Sequence, residues 1–143
     1  MFREKAGRHL TGVLMILALA APAAAQLIDI GKFKGVQIPY TLKFEDKVLE
    51  KGTYDLEALK NPDTPACYLR FKRRGKVICL VDGERLDYET HGMSRMSDAE
   101  IPDQPRLKMK KNAEEKLLIF TVETGRSSRF PFLLLRFKLE YEE

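Results

Sequence analysis

From Val36 onward the chain alternates. Val36, Ile38, Tyr40, Leu42 and Phe44 are separated by Gln37, Pro39, Thr41, Lys43 and Glu45. A two-residue period places one set of side chains on each face of a pleated strand, so this stretch predicts a half-buried strand. Pro39 has no amide hydrogen to donate and assigns the strand to a sheet edge or a bulge. Lys51-Gly52 signals a turn. Tyr54, Leu56 and Ala58 then resume the alternation, and a strand is preferred there over a short helix from Thr53. Asn61-Pro62-Asp63-Thr64-Pro65 is a loop by composition. A hairpin follows over 67–82 with its turn near Gly75, and Asp82-Gly83 predicts another turn before Leu86 and Tyr88. Residues 91–105 read as a long irregular loop. Leu107 and Met109 open a basic strand, 112–116 is a polar turn, and 117–123 is strongly apolar and central. After a turn over 124–128, Leu133 to Tyr141 alternates most clearly of all. Seven or eight short strands with turn chemistry between them predict an all-β fold, an antiparallel sandwich or small barrel. No internal repeat is evident.

The first twenty-five residues break this pattern. Arg3, Lys5 and Arg8 precede an unbroken apolar run from Val13 to Ala21, and Ala23-Ala24-Ala25 follows. That order predicts an export signal over 1–25 cleaved near Ala25-Gln26, since the run is about half of what a membrane span requires. The expected mature chain is one domain, 26–143, periplasmic or extracellular, without a transmembrane segment. The 143-residue sequence carries a formal charge of +4. Arg3, Lys5, Arg8 and Glu4 belong to the signal, so the remainder is nearly balanced. That balance, together with export, argues against a nucleic-acid partner.

The stretch Phe44-Glu-Asp-Lys-Val-Leu49-Glu-Lys-Gly52-Thr-Tyr54 resembles a turn found in small exported bacterial β-rich proteins of unknown function, where the strand leads into Leu-Pro-Ala-Gly-x-Tyr. Here Glu50 and Lys51 replace Pro-Ala. The resemblance covers about eleven residues, implies an exported β-domain and brings no catalytic residues. Physically, Leu49 anchors a turn, Gly52 permits a positive φ and Tyr54 re-enters the core.

Chemistry-bearing residues are few. Export suggests a Cys67–Cys79 disulfide. However, pairing Lys72 with Val77 sets Cys79 opposite Arg70 and points the sulfurs to opposite faces, so bonded and free thiols both stand as readings. His91 is the one histidine beyond the signal. Ser94, Ser97, Ser127 and Ser128 lie in turns or loops, which does not suit a catalytic triad. Asp98, Glu100 and Asp103 read as solvated loop acids. His91, Met93 and Met96 offer soft Cu(I) ligands, with burial of the methionines over the core edge as the plainer reading. No cofactor is expected. Arg70, Lys72, Arg73, Arg74 and Lys76 gather at one hairpin tip and Arg106, Lys108, Lys110 and Lys111 on another strand. Were the two strands neighbours, they would form a basic strip for anionic lipid or envelope polyanions; solubility and edge protection are the competing explanation. The leading expectation is a non-catalytic domain that binds an envelope protein or an anionic surface, through the 91–105 loop, the basic tip, or a strand added at the edge of the Pro39 strand or the last strand. The alternative is a lipocalin-like barrel carrying a small hydrophobic ligand.

Overall fold

The structure, a computed structural model, describes residues 27–86, 102–127 and 133–143. Nine antiparallel strands are found among them: β1 (Ile28–Ile38), β2 (Thr41–Phe44), β3 (Lys47–Leu49), β4 (Gly52–Lys60), β5 (Cys67–Arg73), β6 (Lys76–Leu86), β7 (Arg106–Asn112), β8 (Leu117–Glu123) and β9 (Leu134–Glu142). The fold is all-β, as the alternation predicts.

One layer runs β1-β4-β5-β6 and the other β3-β2-β9-β8-β7. They are joined by β6, which pairs with β5 through Gly83 and with β9 from Glu84 to Leu86. Alternate residues of both layers face inward. Leu56, Leu69, Phe71, Val81, Phe120, Val122, Leu135 and Phe137 are wholly buried. Phe71 of β5 meets Phe120 of β8 edge to face, with ring centroids 5.6 Å apart, and Tyr54 meets Phe71 at 6.0 Å. Aromatic rings at this spacing prefer such tilted contacts. The space between β5 and β8 is therefore filled by side chains.

Several expectations need correction. The strand predicted from Val36 to Glu45 is two strands. Pro39 and Tyr40 separate β1, which pairs with β4, from β2, which pairs with β9. Proline interrupts the ladder, and the chain changes layers there, although Ile38 and Leu42 both stay buried. The strand also begins earlier, at Ile28. Asp82-Gly83 is no turn: β6 passes straight through it. Glycine is needed because a Cβ at position 83 would stand 2.7 Å from the carbonyl oxygen of Arg136 and nearer still to the Phe137 ring. The last strand, β9, lies inside its layer, flanked by β8 on one side and by β6 and β2 on the other. Only residues 137–139 lack a strand partner on the β6/β2 side, and only Tyr141 and Glu142 on the β8 side, whereas β1 pairs, among the described strands, with β4 alone along its length. Finally, Leu69-Arg70-Phe71-Lys72 recurs as Leu135-Arg136-Phe137-Lys138. In each copy the phenylalanine is buried and the arginine meets a glutamate of the adjacent strand, Glu57 or Glu84.

The strand continuation over 87–90 and most of the 91–105 loop lie outside the described residues; other local expectations match. The 61–65 loop closes through Asn61 N–H donating to the Ala66 carbonyl at 3.0 Å. Arg74 and Gly75 have φ of 52° and 77°, as a two-residue type I′ hairpin requires. Leu49 and Tyr54 are buried and Gly52 has φ 153°.

Candidate functional site

The two thiols are free and buried. Lys72 pairs with Val77 as expected, but a bulge follows, so that Phe71, not Arg70, faces Cys79, while Cys67 faces Gly83. The bulge turns both sulfurs to the inner face, correcting the opposite-face reading. It does not bring them together. Cys79 and the residue opposite Cys67 are four positions apart on β6, roughly 13 Å, and a disulfide needs Cα atoms within about 7 Å. Burial pushes the Cys67 thiol up to about 11, and burial raises Cys79 as well. Both therefore stay protonated and weakly nucleophilic near neutrality.

The cations predicted to form one surface are split between layers. β5 and β6 lie in one, β7 in the other, where its sole partner among the described strands is β8. Most of these cations also have local partners. Arg70 donates from Nε to Glu57 at 2.7 Å and Lys72 stands 3.7 Å from the same carboxylate. Burial opposes ionisation of Glu57, but the Arg70 hydrogen bond and the charges of Arg70, Lys72 and Lys32 outweigh it and hold the carboxyl below its ordinary value. Arg73 lies over the Tyr54 ring at 5.0 Å. On β7, Arg106 and Lys108 clamp Glu123, with Lys108 at 3.0 Å. Burial again opposes ionisation, and the two cations again win. Lys111 turns to Glu143 and to the rings of Tyr40 and Tyr141, at 5.2 and 5.4 Å. What remains without a partner among the described residues is Arg74 and Lys76 at the hairpin tip and Lys110 on β7.

Carboxylates held ionised by paired cations are poor proton donors near neutrality. Among the described residues no three of His, Cys, Asp or Glu gather as a metal site would require. His91, Met93, Met96, Ser94, Ser97, Asp98, Glu100 and Ser128 lie outside the described residues, as does the signal segment. Ser127 is occupied in loop closure: its Oγ donates to the Asp103 carbonyl at 2.8 Å. Among the described residues no helix is long and apolar enough to cross a membrane.

The feature that alternation did not reveal is apolar. Where β6 leaves β9 for β5, the β2–β3 hairpin stands beside it. Lys47 Nζ donates to the Ile78 carbonyl at 3.5 Å, and Phe44, Lys47, Leu80 and Asp82 line the groove between them. Along this stretch of β6 Val77, Ile78 and Leu80 are 56, 36 and 40% exposed. The other large hydrophobic side chains exposed among the described residues are Val48 of β3 and Met109 of β7. The sequence held one signal: Val77 to Val81 is an unbroken apolar run, too long for a strand with one solvated face. Its exposed members follow directly on Arg74 and Lys76. Compared with known proteins, the chain matches no family model, no curated protein and no solved structure.

Proposed function

We propose that this chain is an exported, non-catalytic β-domain that works by binding a component of the cell envelope. Its contact surface is the corner formed by the β5–β6 hairpin and β3. The observation that carries this reading is the run of exposed apolar side chains Val77, Ile78 and Leu80 on β6, following directly on Arg74 and Lys76, which have no ion-pair partner among the described residues. Scattered exposed hydrophobics are ordinary, but a contiguous group marks a contact site. The basic start, apolar run and Ala-Ala-Ala of 1–25 support export. A lipocalin-like carrier would need open space between the layers, and the packing of Phe71 on Phe120 favours the binding reading over it.

The test is a photo-crosslinking residue placed at Val77 in producing cells, with one at Lys34 of β1 as control. Adducts at 77 and not at 34, in protein recovered from the envelope fraction with Gln26 as its N-terminus, support the proposal. An intact Met1 terminus on cytoplasmic protein, or no adduct at 77, overturns it.

A further inference from the structure

The chemistry of this corner specifies a class of partner. We infer that it docks on an anionic lipid surface, with Arg74 and Lys76 at the headgroups and Val77, Ile78 and Leu80 against the boundary below them. The inference rests on the binding reading above and names its partner. Three observations lead to it.

First, the charge is one-sided where it is free. Arg70, Lys72 and Arg73 are committed to Glu57 and Tyr54, so they brace the hairpin. Arg74 and Lys76 lie at a tight turn with no ion-pair partner among the described residues. The groove beside Leu80 is mixed, lined by Glu45 and Asp82 together with Lys47, so the unpaired positive charge lies at the tip, where an anionic surface meets it. Second, the most exposed side chains of the strip, Val77, Ile78 and Leu80, are aliphatic, while the aromatics of the adjoining groove, Phe44 and Tyr68, are half-buried. Hot spots at protein interfaces draw on Trp, Tyr and Arg anchors, and the chain contains no Trp. Aliphatic side chains flanked by cations are what interfacial membrane binding uses, its strength rising with buried apolar area and with attraction to anionic lipid. Third, the other basic row lacks this combination. On β7, Arg106 and Lys108 are neutralised by Glu123 and Lys111 by Glu143, leaving Lys110 beside a single exposed Met109.

The experiment is co-sedimentation with vesicles of phosphatidylglycerol and phosphatidylethanolamine, against vesicles of phosphatidylcholine. It uses protein purified from the envelope fraction, its N-terminus checked by mass spectrometry. Arg74→Asn with Lys76→Gln removes both cations and leaves Asn-Gly, a favoured type I′ pair, so the hairpin is preserved. At about fivefold per cation near the surface, the double variant should partition about thirtyfold more weakly onto the anionic vesicles. Val77→Thr with Ile78→Thr keeps two β-branched residues in the strand and should weaken binding severalfold. Added salt should weaken the parent and not the cation variant. Equal binding to both vesicle types, or unchanged binding of either double variant, overturns the inference. So does a lack of vesicle binding alongside a protein adduct at position 77, a result that leaves the binding reading standing.

Discussion

Gly83→Ala should be among the most damaging single-methyl changes in this protein. β6 crosses from one layer to the other at this position, and the added carbon would stand 2.7 Å from the Arg136 carbonyl oxygen and closer to the Phe137 ring. Non-bonded carbon atoms settle at about 3.5–4.0 Å, so the ring or the strand must withdraw by about 1 Å. Phe137 is fully buried, and Arg136 is paired with Glu84 of the same β6; neither has room to yield. Overpacking of this kind costs about 1–3 kcal/mol and occasionally more. The offset from a stiffer unfolded chain is only about 0.4–1 kcal/mol. With both contacts below 3 Å the cost falls at the upper end of that range, and a net loss of about 2–2.5 kcal/mol is expected, a large part of the 5–15 kcal/mol that holds a domain folded.

Urea unfolding measures it. With a slope of about 1.5 kcal/mol per molar, the midpoint should fall by about 1–2 M. The mechanism is tested by repeating the change in a Phe137→Leu background. If the ring is the obstacle, a smaller side chain relieves it, and the two changes should couple by about 1 kcal/mol or more. Were Asp82-Gly83 a turn, alanine would act through the backbone alone and cost the same in both backgrounds. A midpoint shift below about 0.3 M, or equal costs with and without Phe137, would refute the straight passage of β6 into β9.

Three further outcomes follow from the same packing. Phe71→Leu and Phe120→Leu, taken singly and together in a double-mutant cycle, should show a coupling of about 0.5–1.5 kcal/mol, as an edge-to-face pair requires; zero coupling would mean that the layers do not touch there. Glu57 and Glu123 are both held below their ordinary value in the fold, so their stabilisation is complete above the unfolded-state value of about 4.3 and is lost as pH falls through the lower folded values. Stability measured from pH 6 downward should therefore drop below about pH 4, and less steeply in Glu57→Gln with Glu123→Gln; an identical slope would discount both ion clusters. Cys67 and Cys79 should resist a thiol reagent at pH 8 until the chain is unfolded, and alkylation followed by mass spectrometry should find both free, whereas a Cys67–Cys79 peptide from native protein would overturn the β5–β6 register.

The alternation carried the fold class because a strand's period is a local property. Leu56 and Phe71 reveal their inward face within a few residues. Which strand lies beside which is not local. Nothing near Pro39 says that β1 ends on β4 and β2 begins on β9, and a proline that interrupts one ladder looks the same as one at the margin of it. Gly83 was misread for a related reason. Asp-Gly is common turn chemistry, but glycine also appears where two strands approach too closely for a side chain, and only the position of Phe137 separates the cases. The β5–β6 register was readable up to the turn, since Lys72 does pair with Val77; one bulged residue then reversed every face beyond it. The cations were visible as residues and invisible as partners. Arg70 and Arg74 look alike in sequence, yet one is spent on Glu57 and the other faces solvent, because Glu57 arrives from thirteen residues earlier through strand pairing.

That difference gives the exposed corner its meaning. A sheet with free rims invites other strands, and this chain blunts its rims in recognisable ways. β1 carries two register shifts and Gly35 at φ 65°, irregularities that spoil a template for further pairing. β7 presents Arg106, Lys108 and Lys110 on its outward face, each of which a docking strand would have to accommodate. β3 is only three residues long. Along β6, between its turn and its junction with β9, the covering is slight: Lys47 reaches the Ile78 carbonyl, while Val77, Ile78 and Leu80 stand in solvent. These three are 56, 36 and 40% exposed, so polar residues there would cost the fold less than at the fully buried positions of the core. This apolar strip, on a rim lightly covered among the described residues and next to Arg74 and Lys76, is the surface on which the proposed contact rests.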